Sequence, residues 1–200
     1  MIIHHGIAGD ILDSLEANYN GAIGHWSRKP EYTKKVTITF LRDELLYDIK
    51  NMAFVEGDII HTNDEHDRHQ IMDICEDGNI DRVSRILDFA ISKCRELLFP
   101  FTKTKVEDAS VLDDKLEVPD KYEINMLVPD DFSRSSALYL EKLIHEYLVC
   151  TVLSDWLSIT NLINPTSSIN WNVKLKSIEE EIDSILNARI HRVRRTQTPF

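Results

Sequence analysis

The sequence predicts a mainly α-helical fold, and three observations support that prediction. Residues 133–161 form a long stretch in which apolar side chains recur at helical spacing. Its second half, 147–157, is apolar on almost every side, which is typical of a buried helix. Two further segments, 80–97 and 171–185, repeat apolar residues every three or four positions, as packed helices do. We therefore expect a bundle of about four main helices around a central helix.

A short strand and two helices are expected before these segments. Residues 36–40 alternate valine, isoleucine and phenylalanine with threonine, which is the period of a half-buried strand. An apolar stripe over 41–53 predicts the next helix, and Gly57 is the residue at which that helix should stop. A more polar helix is expected over 65–75, with an Asp-Gly-Asn turn after it.

A second strand is predicted just before the central helix. Residues 122–128 alternate apolar and polar side chains, and Pro129 closes the strand. Residues 106–112 are a weaker candidate for its partner. The simplest arrangement is a β-hairpin over about 105–129, inserted between helices. Because an isolated hairpin is marginally stable, it should pack against the helices or another chain.

The first 35 residues are expected to be peripheral to a single domain that spans residues 36–200. They contain Trp26 among polar residues and show no clear period after a short helical stretch. Two interpretations are open. The segment is either an arm that packs on a neighbour, with Trp26 as a contact, or a flexible terminus.

The composition bounds the classes of protein that fit. The chain has 200 residues, of which 42% are hydrophobic and 28% charged, as in a soluble globular protein. A formal net charge of −11 argues against a general nucleic-acid coat and against direct nucleic-acid binding. We expect no signal peptide and no membrane partner, because the basic and apolar runs that these require are missing.

The cysteines indicate packing rather than chemistry. Cys75, Cys94 and Cys150 are odd in number, widely separated, and each lies in or beside a predicted helix. No CxxC pair occurs, so zinc binding and thioredoxin-type chemistry have no support in the sequence. We expect the three to be small core residues in a reducing compartment.

The strongest candidate for enzymatic chemistry is a polar segment that contains His61, His66, Asp67 and His69. On a helix, His66 and His69 share a face. A His-Asp doublet in a helical protein is similar to the ligand set of metal-dependent phosphohydrolases. The other ligands are not identifiable, and a solvated helix start explains the same residues. The metal-dependent hydrolase is therefore the alternative, and we expect no catalytic residues, no metal and no cofactor.

Three polar residues of the central helix also need an explanation. Glu141 and His145 are four positions apart, which is not the Glu-x-x-His pattern of di-iron bundles, so we expect a polar helix edge. Asp155 lies in an apolar stretch and needs a partner, which Arg95 or an arginine near residue 190 could supply. Nucleotide-binding glycine loops, serine-hydrolase elbows and zinc-protease motifs do not occur.

Residues 189–200, here called the arginine segment, carry the sharpest charge feature. They contain Arg189, Arg192, Arg194 and Arg195 and no acidic residue, so the rest of the chain has a formal charge of −11 − 4 = −15. One interpretation is a helical regulator whose basic tail contacts nucleic-acid phosphates. The interpretation we favour pairs these arginines with acidic surface, their own or a neighbour's. Such a segment is a natural way to bind the next copy in a ring.

Four runs of residues resemble small virion proteins of phages and prophages. The runs are RDELLYDIKNMAFVEGD, DEHDRHQIMDICEDGNIDRVSRILDFA, LIHEYLVCTVLSDWLSITN and NARIHRVRRTQTPF. The resemblance covers residues 36–200 and is to the head–tail connector, or head-completion, proteins of tailed phages; Leu-Ile-Asn before Pro165 interrupts it.

That resemblance implies a helical fold with a β-hairpin or extended loop and no catalytic residues. It also implies assembly as a homo-oligomeric ring beneath the portal, with portal or tail proteins as partners. The expected location is the virion, and the bacterial host cytoplasm during assembly.

Overall fold

The computed structural model describes residues 32–59, 65–104, 118–129, 132–161 and 166–188. In chain order its elements are β1 (Tyr32–Leu41), α1 (Arg42–Ile59), α2 (Glu65–Met72), α3 (Ile80–Leu97), β2 (Lys121–Pro129), α4 (Arg134–Thr160) and α5 (Thr166–Ala188). A short 3₁₀ turn, Asp73–Cys75, follows α2. The fold is mainly α-helical, with a two-stranded antiparallel sheet before the long helix α4, and this confirms the predicted fold class.

Helix α4 is the central helix, with the boundaries that the sequence predicts. It begins after Ser133, whose side chain accepts a hydrogen bond from the backbone N–H of Ser135 and so caps the helix. In its second half the consecutive residues Leu148, Val149 and Cys150 are all buried, although each points about 100° away from the one before it around the helix. These directions are covered because α4 contacts α1, α2, α3 and α5.

The sheet joins two segments that are far apart in sequence. Strand β2 pairs with β1 in antiparallel orientation, and three apolar pairs face the core: Val36–Met126, Ile38–Ile124 and Phe40–Tyr122. The sequence predicts both strands, but it expects β2 to pair with residues 106–112 in a hairpin over about 105–129, whereas β2 pairs with β1. Residues 106–112 lie outside the described residues. Alternation fixes which side chains share a face of a strand, whereas pairing with β1 also depends on the helices that bring the two strands together.

Gly57 has a different role from the predicted helix stop. Helix α1 continues to Ile59, and Gly57 is buried within it. A Cβ atom at this position would lie 2.9 Å from Cγ of Met72, so the missing side chain lets α2 pack closely on α1. Arg68 strengthens the same contact, since its guanidinium donates to the Gly57 carbonyl at 3.3 Å and pairs with Asp58 at 2.9 Å.

Helix α2 is also attached to the central helix. The indole Nε1–H of Trp156 donates to the Ile71 carbonyl at 3.0 Å, and both residues are buried. This gives the Ile71 carbonyl, close to the C-terminal end of α2, a side-chain donor from α4. The buried side chain of Trp156 therefore holds α2, a short and mostly polar helix, against α4.

Strand β1 begins at Tyr32, so the last residues of the expected arm belong to the sheet, and residues 1–31 lie outside the described part. Within the described ranges, no helix combines the length and apolar character needed to cross a bilayer.

Removing a buried leucine from α4 should strongly destabilise the protein. We expect Leu148→Ala to lower the free energy of unfolding by about 2–5 kcal/mol, because Leu148 is fully buried and the cavity cannot collapse completely. The matched control is Leu138→Ala on the same helix, where the side chain is 49% exposed and the change should stay within about 0.5 kcal/mol. Urea unfolding, monitored by circular dichroism, measures the free energy of unfolding of both variants. Equal losses in the two variants would contradict the prediction.

Candidate functional site

The structure does not test the candidate metal ligands of the alternative, hydrolase interpretation. His61 lies outside the described residues, and His66 and Asp67 belong to α2 but their side chains are not among those described. His69 is exposed on α2. Among the side chains that the structure describes, no group of three or more His, Cys, Asp or Glu could hold a metal ion. The metal-dependent hydrolase stays a prediction.

Asp155 has a different partner from the expected ones. The guanidinium of Arg82, on α3, donates to its carboxylate from Nη2 at 2.8 Å and from Nε at 3.1 Å. Arg95 instead donates to the backbone carbonyl of Glu123 in β2 at 3.0 Å. The side chain of Asp155 is 40% exposed, so this contact is a surface ion pair between α3 and α4. The apolar neighbours in sequence suggested burial, but the carboxylate lies at the edge of the helix contact.

Two of the three thiols are buried in the core, as expected. Burial raises the pKa of Cys94 and of Cys150 to about 12 each. Cys75 is partly exposed, donates to the Leu46 carbonyl at 3.7 Å, and has a pKa that burial also raises. Because the thiolate is the reactive form of cysteine, such pKa values keep these groups in the unreactive form at neutral pH.

A polar cluster joins helices α3, α4 and α5. One carboxylate oxygen of Glu179 accepts hydrogen bonds from Nζ of Lys93 at 2.7 Å and from the hydroxyl of Tyr147 at 3.1 Å. The ammonium also lies 5.6 Å from the centre of the Tyr147 ring, within reach of a cation–π interaction. The hydrogen bond with Glu179 raises the pKa of Lys93, while burial is the main cause of the raised pKa of Tyr147. Spacing had marked Tyr147 as an apolar core residue, and it gave no signal for this cluster.

A second polar contact secures the first half of α5. Trp171 donates from Nε1 to the carboxylate of Glu56 in α1 at 3.1 Å, and its ring centre lies 5.1 Å from the ammonium of Lys174. Lys174 in turn pairs with Glu146 of α4. Helix α5 is therefore held on both α1 and α4 by contacts that its apolar stripe alone would not specify.

An open groove lies between the start of α1 and the first half of α4. It has a volume of about 400 Å³ and is lined by Asp43, Glu44, Tyr47, Asp48 and His145. A smaller neighbouring cavity of about 150 Å³ shares Glu44 and His145. It extends to Thr39 and Phe40 of β1 and to Glu141 and Lys142 of α4. We call these two cavities together the acidic groove.

The way that β1 runs into α1 creates the acidic groove. Strand β1 ends at Leu41 and α1 begins at the next residue, so the first turn of the helix lies beside the strand end. Asp43 and Glu44 lie in that first turn, where the positive end of the helix dipole favours carboxylates. Across the groove, Nε2 of His145 lies 2.8 Å from Oδ2 of Asp48. The predicted polar edge at Glu141 and His145 is thus one wall of this groove.

The charges and the aromatic ring of the groove suit a cationic partner. Four carboxylates line it, from Asp43, Glu44, Asp48 and Glu141, against one lysine, Lys142. The side chain of Tyr47 is 71% exposed and forms part of the same surface. An arginine can pair with carboxylates in a forked geometry and can stack on an aromatic ring. Sequence reasoning missed the α1 wall because it followed the buried stripe of that helix and not its opposite face.

The residues predicted to make oligomer contacts are not in the described part of the chain. These are Trp26, Arg189, Arg192, Arg194 and Arg195. Comparison with protein-family models gives no match, and no match is found among curated proteins or among solved structures.

Removing the hydroxyl of Tyr147 should weaken the α3–α4–α5 cluster. We expect Tyr147→Phe to lower the free energy of unfolding by about 1 kcal/mol, because Glu179 loses one of its two donors. Tyr139→Phe is the matched control: Tyr139 also donates to a glutamate of α5, Glu181, but its side chain is 48% exposed. In urea unfolding, Tyr139→Phe should lower the free energy of unfolding by less than Tyr147→Phe does. A larger loss for Tyr139→Phe would contradict the prediction.

The buried thiols should make stability fall at high pH. The ordinary pKa of a thiol is 9.0, and folding raises it to about 12 at Cys94 and Cys150. The unfolded chain therefore loses these protons first, so their contribution is fully present below pH 9.0 and is lost as pH rises towards 12. The double variant Cys94→Ala/Cys150→Ala should show a shallower decline between these values. Denaturant unfolding at a series of pH values measures the free energy of unfolding of both proteins. Parallel curves of this free energy against pH would contradict the attribution to the two thiols.

Proposed function

We propose that this chain is a structural protein that works by assembling with other protein chains. The observation that carries the proposal is the outer face of α1. Leu45, Ile49 and Ala53 are fully buried on one side of that helix, while Tyr47 and Phe54 on the opposite side are 71% and 56% exposed. Large side chains grouped on an exposed helix face are typical of protein-interaction surfaces.

Further exposed apolar side chains extend this surface. Val55 and Ile59, in the last turns of α1, are 45% and 63% exposed. The acidic groove begins at the other end of the same helix, so α1 presents an apolar part and a charged part in line. Binding surfaces between proteins combine large apolar anchors with polar groups that set the register.

The particular function that we propose is a head–tail connector of a tailed phage or prophage, acting as a homo-oligomer at the portal. Its basis is the sequence resemblance over residues 36–200. The mainly helical fold with an antiparallel strand pair before the long helix supports the proposal, because it is the fold that the resemblance implies. Other helical proteins share these features, so the experiment below decides.

Sedimentation of the purified full chain, alone and mixed with the portal and tail proteins of a tailed phage, tests this function. We expect oligomers at high concentration and co-sedimentation with the portal or tail protein. Phe54→Ser should raise the dissociation constants of self-association and of partner binding by about tenfold, because an interface anchor is lost. Phe89→Ser, which changes a phenylalanine of α3 that is 66% exposed, is the matched control. A chain that stays monomeric and joins neither partner at any concentration would overturn the proposal.

A further inference from the structure

We propose that the arginine segment of one copy binds in the acidic groove of the next copy. This inference rests on the proposed function, since it names the contact through which copies would assemble. It assigns a ligand to a groove that no sequence motif marked. The ligand is residues 189–200, a basic segment of this same chain.

Charge complementarity is the first argument. The groove combines carboxylates of Asp43, Glu44 and Glu141 with the Asp48–His145 pair. The arginine segment carries four arginines and no acid, on a chain whose other residues sum to a formal −15. In such a chain the arginine segment is the densest block of positive charge, and an acidic groove in the next copy is its natural counterpart.

The chemistry of the side chains fits as well as the charge. The segment reads RIHRVRRTQTPF, in which Ile190 and Val193 separate the arginines. The groove offers carboxylates beside the exposed ring of Tyr47, with the apolar residues Val55 and Ile59 further along α1. Arginines would pair with the carboxylates and stack on the ring, while the aliphatic residues would contact apolar surface. A purely acidic surface would lack this second component.

The topology favours binding between copies over binding within one chain. Helix α5 packs on the side of α4 that carries Tyr139 and Tyr147, and it ends at Ala188, where the arginine segment begins. Glu141 and His145 lie on the other side of α4 and form the groove. When the segment of one copy binds the groove of the next, the contact is head-to-tail, and it forms a ring where the rotation between copies closes.

Reach alone does not separate the two arrangements. Twelve extended residues span at most about 40 Å, which is enough to pass around a helix about 10 Å wide. The experiment must therefore distinguish a segment bound to its own groove from one bound to a neighbour's. Two variants of the full chain with complementary defects make that distinction.

The groove variant is Glu44→Lys with Glu141→Lys, and the segment variant is Arg192→Glu with Arg194→Glu. Each keeps one half of the contact intact. We expect each variant alone to self-associate about tenfold more weakly than the wild type in sedimentation velocity. An equimolar mixture should form 1:1 complexes that do not grow further, because only one segment and one groove remain compatible.

Three controls separate this contact from misfolding and from net charge. The chain with all four changes restores opposite charges and should regain assembly. Glu180→Lys with Asp183→Lys makes the same charge change at two exposed acidic residues of α5 and should leave assembly unaltered. Glu44→Gln with Glu141→Gln removes the two charges with little change in side-chain shape. The circular dichroism spectrum of every variant should match that of the wild type.

Each possible outcome decides the matter. Assembly that is unaffected by both variants overturns the groove contact and leaves the proposed structural function standing. Two weakened variants that do not combine when mixed overturn the contact between copies. A wild-type chain that never self-associates overturns this contact and also counts against the proposed function.

Discussion

The burial of helix α4 is the constraint on which the rest of the structure depends. Its second half has apolar side chains in nearly every direction, so no single neighbour can cover it. Helices α1, α2, α3 and α5 all contact it. Trp156 shows how strict this arrangement is, because a buried indole must also satisfy its N–H, and it does so on the carbonyl of Ile71. The positions of the other four helices follow from the need to cover this one helix.

Polar contacts then select one arrangement among the many that would bury the same area. Glu179 accepts from Lys93 and Tyr147 and so fixes α3, α4 and α5 relative to one another. Trp171 and Glu56 do the same for α5 and α1. Hydrophobic burial is not directional, whereas a hydrogen bond requires particular atoms at particular distances. In this fold the apolar stripes provide stability, and these few polar contacts provide the register.

The same packing leaves one side of α1 and part of α4 uncovered, and our functional proposals concern that surface. Strand β1 leads directly into α1, so the acidic first turn of the helix lies beside the strand end and opposite His145. The carboxylates gather there because two elements meet without a loop between them. Tyr47 and Phe54 are exposed on the outer side of the same helix because the buried stripe occupies the inner side. Carboxylates beside exposed apolar side chains are complementary to a basic segment that also carries aliphatic residues, such as residues 189–200.

The sequence by itself determined the helices, both strands and the buried faces, because each of these depends on a period of side chains along one segment. The central helix lies within one residue of the predicted stretch 133–161 at each end, and α3 begins at Ile80 and covers the predicted seam over 80–97. Only the tertiary structure decided what each segment meets. Strand β2 pairs with β1, and the carboxylate of Asp155 pairs with the guanidinium of Arg82. Gly57 packs against Met72, and Glu44 and Glu141 line the same groove. These contacts join residues distant in sequence, and a period along the chain carries no information about which distant face will cover it.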